Sequence, residues 1–215
     1  MFSSASNFTD NVDAVFLYIT ALSLIVLVGI TVAMIYFVIR YSRKRNPVPT
    51  HVEENLALEV LWTAIPLVLF LSMFYFGWVG YKDMRNIPDN ALQIKVTARM
   101  WQWSFEYPNG LKTDTLYVAA GMPVRTELHS TDVSHAFFIP AFRVKKDVYP
   151  NKVNDLWFQS DKVGRYDIAC AEYCGLNHSG MYTAVHIMEP ADFDAWYKAT
   201  SAKAGLQPLL TAAVK

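Results

Sequence analysis

Charge, cysteine and repetition are all scarce in this chain of 215 residues. Charged residues make up only 18% of it, against about 25% in soluble domains, and the basic and acidic residues cancel to a net charge of zero. With no excess of positive charge, nothing points to nucleic acid or another polyanion as a partner. No internal repeat or low-complexity tract is present, and no Cys-x-x-Cys-His run is available to attach a haem. Cys170 and Cys174 are the only cysteines, and residues 1–13 contain no Lys or Arg.

Long apolar runs account for the missing charge. Residues 14–39 are a stretch of 26 without a formal charge, and about 20 apolar residues suffice to cross a bilayer core. A second run of 20, residues 60–79, contains Trp62, Pro66 and Trp78. It competes with the reading of a buried core helix in a large soluble domain, but so long a run without charge favours a span. Pro66 is compatible with that, because packing neighbours can satisfy the freed carbonyl, and Trp78 and Tyr81 suit a membrane interface. The loop between the runs holds Arg40, Arg43, Lys44 and Arg45, whereas residues 1–13 hold Asp10 and Asp13. Positive loops stay in the cytoplasm, so both termini are expected outside. The first span lacks a basic leader and ends in a basic cluster, unlike a cleaved secretory signal, and is expected to be retained. The resulting plan has an external segment 1–13, spans at 14–41 and 57–82 with a cytoplasmic loop 42–56, a linker 83–91, a folded domain 92–190, and a closing helix with tail at 191–215.

From residue 92 the pattern changes to short alternating runs punctuated by Pro, Gly, Asn and Asp. Strands are expected at 93–98, 101–106, 124–128, 152–158, 165–169 and 182–188, with a turn at Pro108-Asn109-Gly110. Many short strands over about a hundred residues argue for an all-β Greek-key sandwich or barrel. Past Glu189-Pro190, a stretch with Asp192 early and Lys198 late reads as a short closing helix around Phe193, Trp196 and Tyr197.

The chemistry concentrates in Cys170-Ala-Glu-Tyr-Cys174-Gly-Leu-Asn-His178-Ser-Gly-Met181. Two thiolates, an imidazole and a thioether this close form a soft ligand set suited to copper. A disulfide is the commoner use of two cysteines outside the cytoplasm, and zinc is a third reading, although methionine is a poor reason for zinc. His135, at the edge of an apolar stretch, shifts the balance. A lone histidine there is more often a core residue, yet a strand histidine followed by Cys, His and Met on one later loop is the ligand order of blue-copper proteins. The extra cysteine would bridge to a second copper.

With Cys-x-Glu-x-Cys-x-x-x-His-x-x-Met filled at every position and an upstream histidine, the chain resembles subunit II of the haem-copper respiratory oxidases, the cytochrome c oxidases, and the run resembles their CuA loop. The resemblance implies a two-helix transmembrane hairpin followed by a cupredoxin-like Greek-key domain. It implies two copper ions bridged by Cys170 and Cys174, one bound by His135 and one by His178, with Met181 and the carbonyl of Glu172 as weak ligands. The Glu172 carboxylate would face a magnesium ion at the contact with subunit I, and haem would reside only in subunit I. Electrons would come from a c-type cytochrome, a separate protein because this chain has no haem-attachment motif, and would pass to subunit I for oxygen reduction coupled to proton translocation. Subunit III and membrane lipid are the other implied partners, in a bacterial plasma membrane or a mitochondrial inner membrane.

Further positions carry roles by the same resemblance. In Met100-Trp101-Gln102-Trp103-Ser104-Phe105-Glu106-Tyr107, alternating aromatics are usually packing residues, whereas the family takes the first tryptophan, here Trp101, as the point where electrons arrive. Met100 and Gln102 depart from the commoner family residues, which bears on how the donor docks. Glu59, an acid at the cytoplasmic edge of a span, matches the family glutamate at the mouth of a proton path; its bland reading is a solvated helix end. Asp132 and Asn177 flank the ligand histidines, where they could orient the imidazoles or simply form turns. Arg143 and Lys145 match positions near the contact with subunit I, or else lie on a solvated strand edge. Two rivals remain: the CuA subunit of a nitric oxide reductase, with nearly the same loop, and a membrane-tethered copper chaperone, which the second span and the His-x-x-Met ending oppose.

Overall fold

The computed structural model describes residues 4–48, 51 and 53–207. Parts of the external segment, of the loop 42–56 and of the tail expected to 215 lie outside the described residues. Two long helices precede two five-stranded sheets and a third helix. By contacts the chain divides into two units, one of residues 11–81 and one combining residues 1–10 with 82–215.

In the first unit, α1 (Thr9–Arg40) and α2 (Leu56–Arg85) are long and apolar enough to cross a membrane. Over residues 14–39 and 60–79 their side chains carry no charge on any side, with Leu27, Val38, Val68 and Phe70 exposed. A helix without a polar face matches a lipid surrounding. Asn55 caps α2, its Oδ1 accepting the Leu58 N–H at 3.2 Å. The helices pair antiparallel: the Tyr18 hydroxyl meets the Ser72 hydroxyl at 2.6 Å, and Tyr18 packs edge-on against Phe76. α2 continues through Pro66.

The second unit is a β-sandwich. One sheet has the order β3-β2-β1-β5-β8, the other β4-β10-β9-β6-β7. In chain order the strands are β1 (Leu92–Arg99), β2 (Gln102–Glu106), β3 (Lys112–Thr113), β4 (Leu116–Ala119), β5 (Val124–Ser130), β6 (His135–Ile139), β7 (Val144–Val148), β8 (Asn154–Phe158), β9 (Gly164–Cys170) and β10 (Tyr182–Met188). Alternation drives the packing: Ile94, Val96 and Ala98 of β1 and Trp103 and Phe105 of β2 point inward while their neighbours face out. Phe137, Phe142, Phe158, Ile168 and Val185 complete the core. The parallel pairs β1 with β5 and β4 with β10 join strands distant in sequence, as an all-β sandwich with crossing connections requires. α3 (Pro190–Lys203) closes the unit, with Trp196 stacked on Tyr117 at 4.4 Å and Phe193 and Tyr197 buried.

The N-terminal segment belongs to this β unit. Ala5 N–H donates to the Ala141 carbonyl, the Ser6 hydroxyl to the Phe142 carbonyl at 2.8 Å, and Asn7 exchanges hydrogen bonds with Gln159. Phe8 packs edge-on against Trp157 at 4.8 Å, and Ala5, Phe8 and Thr9 are buried.

Some strand expectations differ from the structure. Trp101 lies in the turn between β1 and β2, not on the strand expected at 101–106, and β8 begins at Asn154, after the bridge formed by Lys152. β3, β4 and β7 were not anticipated: β3 and β4 are short, and β7 places Lys145, Lys146 and Asp147 between its two apolar ends.

Candidate metal centre

Three backbone segments converge at one end of the sandwich. β9 ends at Cys170, the connection to β10 carries Cys174, His178 and Met181, and β6 begins at His135 beside them. The Ala171 N–H donates to the Ala136 carbonyl and the Cys170 N–H to the Met181 carbonyl, tying the start and finish of the loop to the sheet. A Cβ at Gly180 would sit 2.5 Å from the Asn177 side-chain oxygen, so a larger residue there would require that exposed side chain to turn away.

Both cysteines are free thiols, with sulfurs 3.8 Å apart, well beyond the roughly 2.05 Å of a disulfide. Cys170 Sγ lies 3.8 Å from His135 Nδ1 and 3.2 Å from the Glu172 carbonyl oxygen. Cys174 Sγ lies 3.5 Å from His178 Nδ1 and 3.7 Å from Met181 Sδ. Ligand atoms of His135, Cys170 and Cys174 all fall within 4.8 Å of one another and could hold a metal ion. His135 and Met181 are fully buried, and the cysteines nearly so. Burial first, and then the neighbouring Cys170 sulfur, push the Cys174 thiol up to about 11. These protons must leave when a metal binds. Two sulfurs, two imidazole nitrogens and a thioether fit copper by softness better than zinc, for which a thioether is an unusual ligand.

Asp132 orients one imidazole. Its Oδ1 accepts from His135 Nε2 at 2.8 Å, leaving Nδ1 toward the sulfurs. The same carboxylate accepts the Met100 N–H and the Val133 N–H, each at 2.7 Å. Burial pushes the Asp132 carboxyl up, but the hydrogen bonds from Met100, His135 and Val133 outweigh it and hold it down at about 2.

Trp101 abuts the centre through the second cysteine. Its Nε1–H donates to the Cys174 carbonyl at 3.2 Å. The indole lies against Gly175, where a Cβ would meet Trp101 Cζ2 at 3.4 Å and Nε1 at 3.5 Å. Gly175 has φ of +113°, in the region that favours glycine. Sequence reasoning passed over Gly175; its signal was the glycine directly after Cys174. Trp103 is also near, its ring 6.2 Å from that of His135, but it is buried and packs on Phe137.

The remaining singled-out residues are spread wider. The side chain of Glu172 is exposed, and Asn177 is exposed on the loop. Arg143, with φ of 58°, donates to the Pro140 carbonyl at 2.7 Å, while Lys145 is exposed on β7. Glu59 is exposed in the first turn of α2, in the other unit.

Two helices apolar all round and a β-sandwich with a sulfur-rich donor cluster at one end define a membrane-anchored protein of cupredoxin-like class. Residues 1–76 match the family of transmembrane domains of cytochrome c oxidase subunit II, and residues 110–188 that of its periplasmic domains. The chain is 35% identical over 196 residues to a cytochrome c oxidase subunit 2 of Alkalihalophilus pseudofirmus, covering 85% of this chain. It spans 57% of that relative's length. The periplasmic domain of cytochrome oxidase subunit II of Bradyrhizobium japonicum matches with 30% identity and a TM-score of 0.53, over 55% of this chain and 99% of that one. A subunit II domain solved as a mixed disulfide with a thioredoxin-like protein matches with 29% identity and a TM-score of 0.50, over 55% of this chain and 96% of that one. The chain belongs to the cytochrome c oxidase subunit II family.

Proposed function

We propose that this chain is the electron-accepting subunit of a respiratory cytochrome c oxidase, taking electrons from a c-type cytochrome and handing them to haem in subunit I, where oxygen is reduced and protons are translocated. The observation that carries the reading is the convergence of Cys170, Cys174, His135, His178 and Met181 at one end of a rigid sandwich. Bound by these donors, with the Glu172 carbonyl as a further weak ligand, a pair of copper ions would supply a one-electron carrier whose charge change is spread over both metals and both sulfurs. The chain's own residues would keep that environment from rearranging. Asp132 would fix the tautomer of His135 through its bond to Nε2, Met181 is fully buried beside the sulfurs, and loop-to-sheet hydrogen bonds hold the cysteines in place. Trp101 would receive the electron and pass it toward Cys174 through the hydrogen bond from its indole.

The exposed Glu172 carboxylate would serve a magnesium ion at the contact with subunit I, with Arg143 and Lys145 near the same contact. Glu59 would mark the mouth of a proton path. Subunit III would complete the core complex. The copper domain would lie outside a bacterial plasma membrane or a mitochondrial inner membrane, and the N-terminal segment packed on it would share that side. By analogy with the relative captured in a mixed disulfide, a thioredoxin-like reductant would keep both thiols reduced before metal arrives.

Copper counting and electron paramagnetic resonance on the intact chain test the reading. About two coppers per chain are expected, with the hyperfine pattern of one electron shared equally by two copper nuclei. A single copper with the simpler pattern of one nucleus, or a stable cystine with no metal after gentle isolation, would overturn it.

A further inference from the structure

If Trp101 receives the electron, as proposed above, the surface around it says what kind of donor it fits. Met100 and Val133 flank the site with 41% and 38% of their surfaces exposed. The one carboxylate between them, Asp132, is turned inward: Oδ2 accepts the Met100 N–H, and Oδ1 accepts from the Val133 N–H and His135 Nε2. Its negative charge remains, but these bonds hold both oxygens against the protein.

The adjoining outer face of the β3-β2-β1-β5-β8 sheet holds a groove lined in part by Arg99, Gln102, Glu106, Lys112 and Thr131. Its carboxylates are matched from within the face. Glu106 pairs with Lys112 at 3.5 Å, Lys95 stands opposite both Glu106 and Glu127 in the sheet register, and Asp155 accepts two hydrogen bonds from Arg125. With Asp132 counted, Lys95, Arg99, Lys112 and Arg125 balance Glu106, Glu127, Asp155 and Asp132, so the surface carries no excess of either sign. A donor that presents lysines around its haem edge would meet Arg99 and Lys112 and gain little from the paired acids.

We propose that the donor is a c-type cytochrome with an apolar, weakly charged contact rim, docked over Met100 and Val133 beside Trp101. Charge complementarity mainly governs encounter rate and its salt dependence, so association here depends on apolar contact and little on salt.

The test uses the intact oxidase and two c-type cytochromes, one with a ring of lysines and one with an uncharged rim, measuring the bimolecular rate of electron transfer as salt rises from about 10 mM to about 0.2 M. The uncharged-rim donor is expected to be the faster, and both rates to change by less than about threefold. A lysine-ringed donor that is faster, and that slows about tenfold or more with salt, would overturn the proposal. Val133→Glu, with Val133→Gln as the uncharged control, is expected to speed the lysine-ringed donor several-fold at low salt only, with the copper absorption unchanged; no effect on either donor counts against this docking surface. Trp101→Ala separates the two readings. It should stop transfer from both donors, and normal rates in that variant would remove the receiving role of Trp101 itself and this proposal with it. A steep salt dependence with Trp101→Ala inactive removes only the proposed donor type.

Discussion

Phe70 and Phe137 are the same residue in two opposite settings. Phe70, in α2, is 66% exposed, and α2 has no buried residue. Phe137, in β6, is fully buried among Trp103, Phe105 and the strands around the candidate metal loop. One unit turns its apolar surface outward because lipid replaces water there. The other must bury it, and the same close packing that stabilises it holds candidate ligands on three separate segments at fixed separations. In this chain it is the second kind of packing that gathers His135, Cys170 and Cys174 from distant positions.

The largest expected effect comes from that contrast itself. Phe137→Ala should lower the unfolding free energy of the β unit by about 3–5 kcal/mol, whereas Phe70→Ala should change stability by only about 0.5 kcal/mol. Equal costs in denaturant titrations of the two variants would erase the contrast. Next, Leu27→Asp, in the apolar stretch of α1, should oppose membrane insertion by about 3 kcal/mol, readable as a loss of membrane-integrated chain. Thr97→Asp, on the outer face of β1, should leave insertion unchanged.

Smaller again, and confined to the site, is the effect of Gly175→Ala. The added Cβ presses on the indole of Trp101 and adopts a backbone conformation that L side chains rarely take. Electron transfer from the donor should slow about tenfold, and the Trp101 indole N–H of the metal-free chain should lose protection from hydrogen exchange. That N–H is assigned by its disappearance in Trp101→Phe. Unchanged rate and protection would mean that the glycine has no part in positioning the ring.

The smallest concerns pH. Burial, and secondarily Arg165, lower the pKa of His186, which stacks on Tyr117. The unfolded chain then binds a proton more readily than the folded one, so this contribution is complete above the ordinary imidazole value of about 6.5 and declines as pH falls below it. Denaturation midpoints of the wild type should drop more between pH 7.5 and pH 5.5 than those of His186→Gln, and an identical drop would exclude the effect.

Much of the architecture was readable in the residues because it rests on local patterns. Residues 14–39 and 60–79 need no partner to declare themselves as apolar helices, and the strand expected at 182–188 coincides with β10 because its alternation is regular. β7 was missed because three charged residues occupy its middle, and it pairs with β6 in spite of them. Trp101 was expected within a strand from its alternating aromatics. The structure puts it in a turn, where its indole reaches the Cys174 carbonyl, a contact across 73 positions that no local periodicity encodes.

The candidate ligands were legible for a chemical reason: soft donors at Cys170, Cys174, His178 and Met181 occur together in one short run, and their softness belongs to the side chains in any conformation. By itself the sequence determined two membrane-length helices, an all-β domain and a short run of soft donor side chains. Tertiary structure decided that His135 joins that loop, that Asp132 holds its imidazole from behind, and that Gly175 leaves room for Trp101. Those relations depend on strand order and on packing between distant segments, where a few tenths of an ångström separate contact from clash.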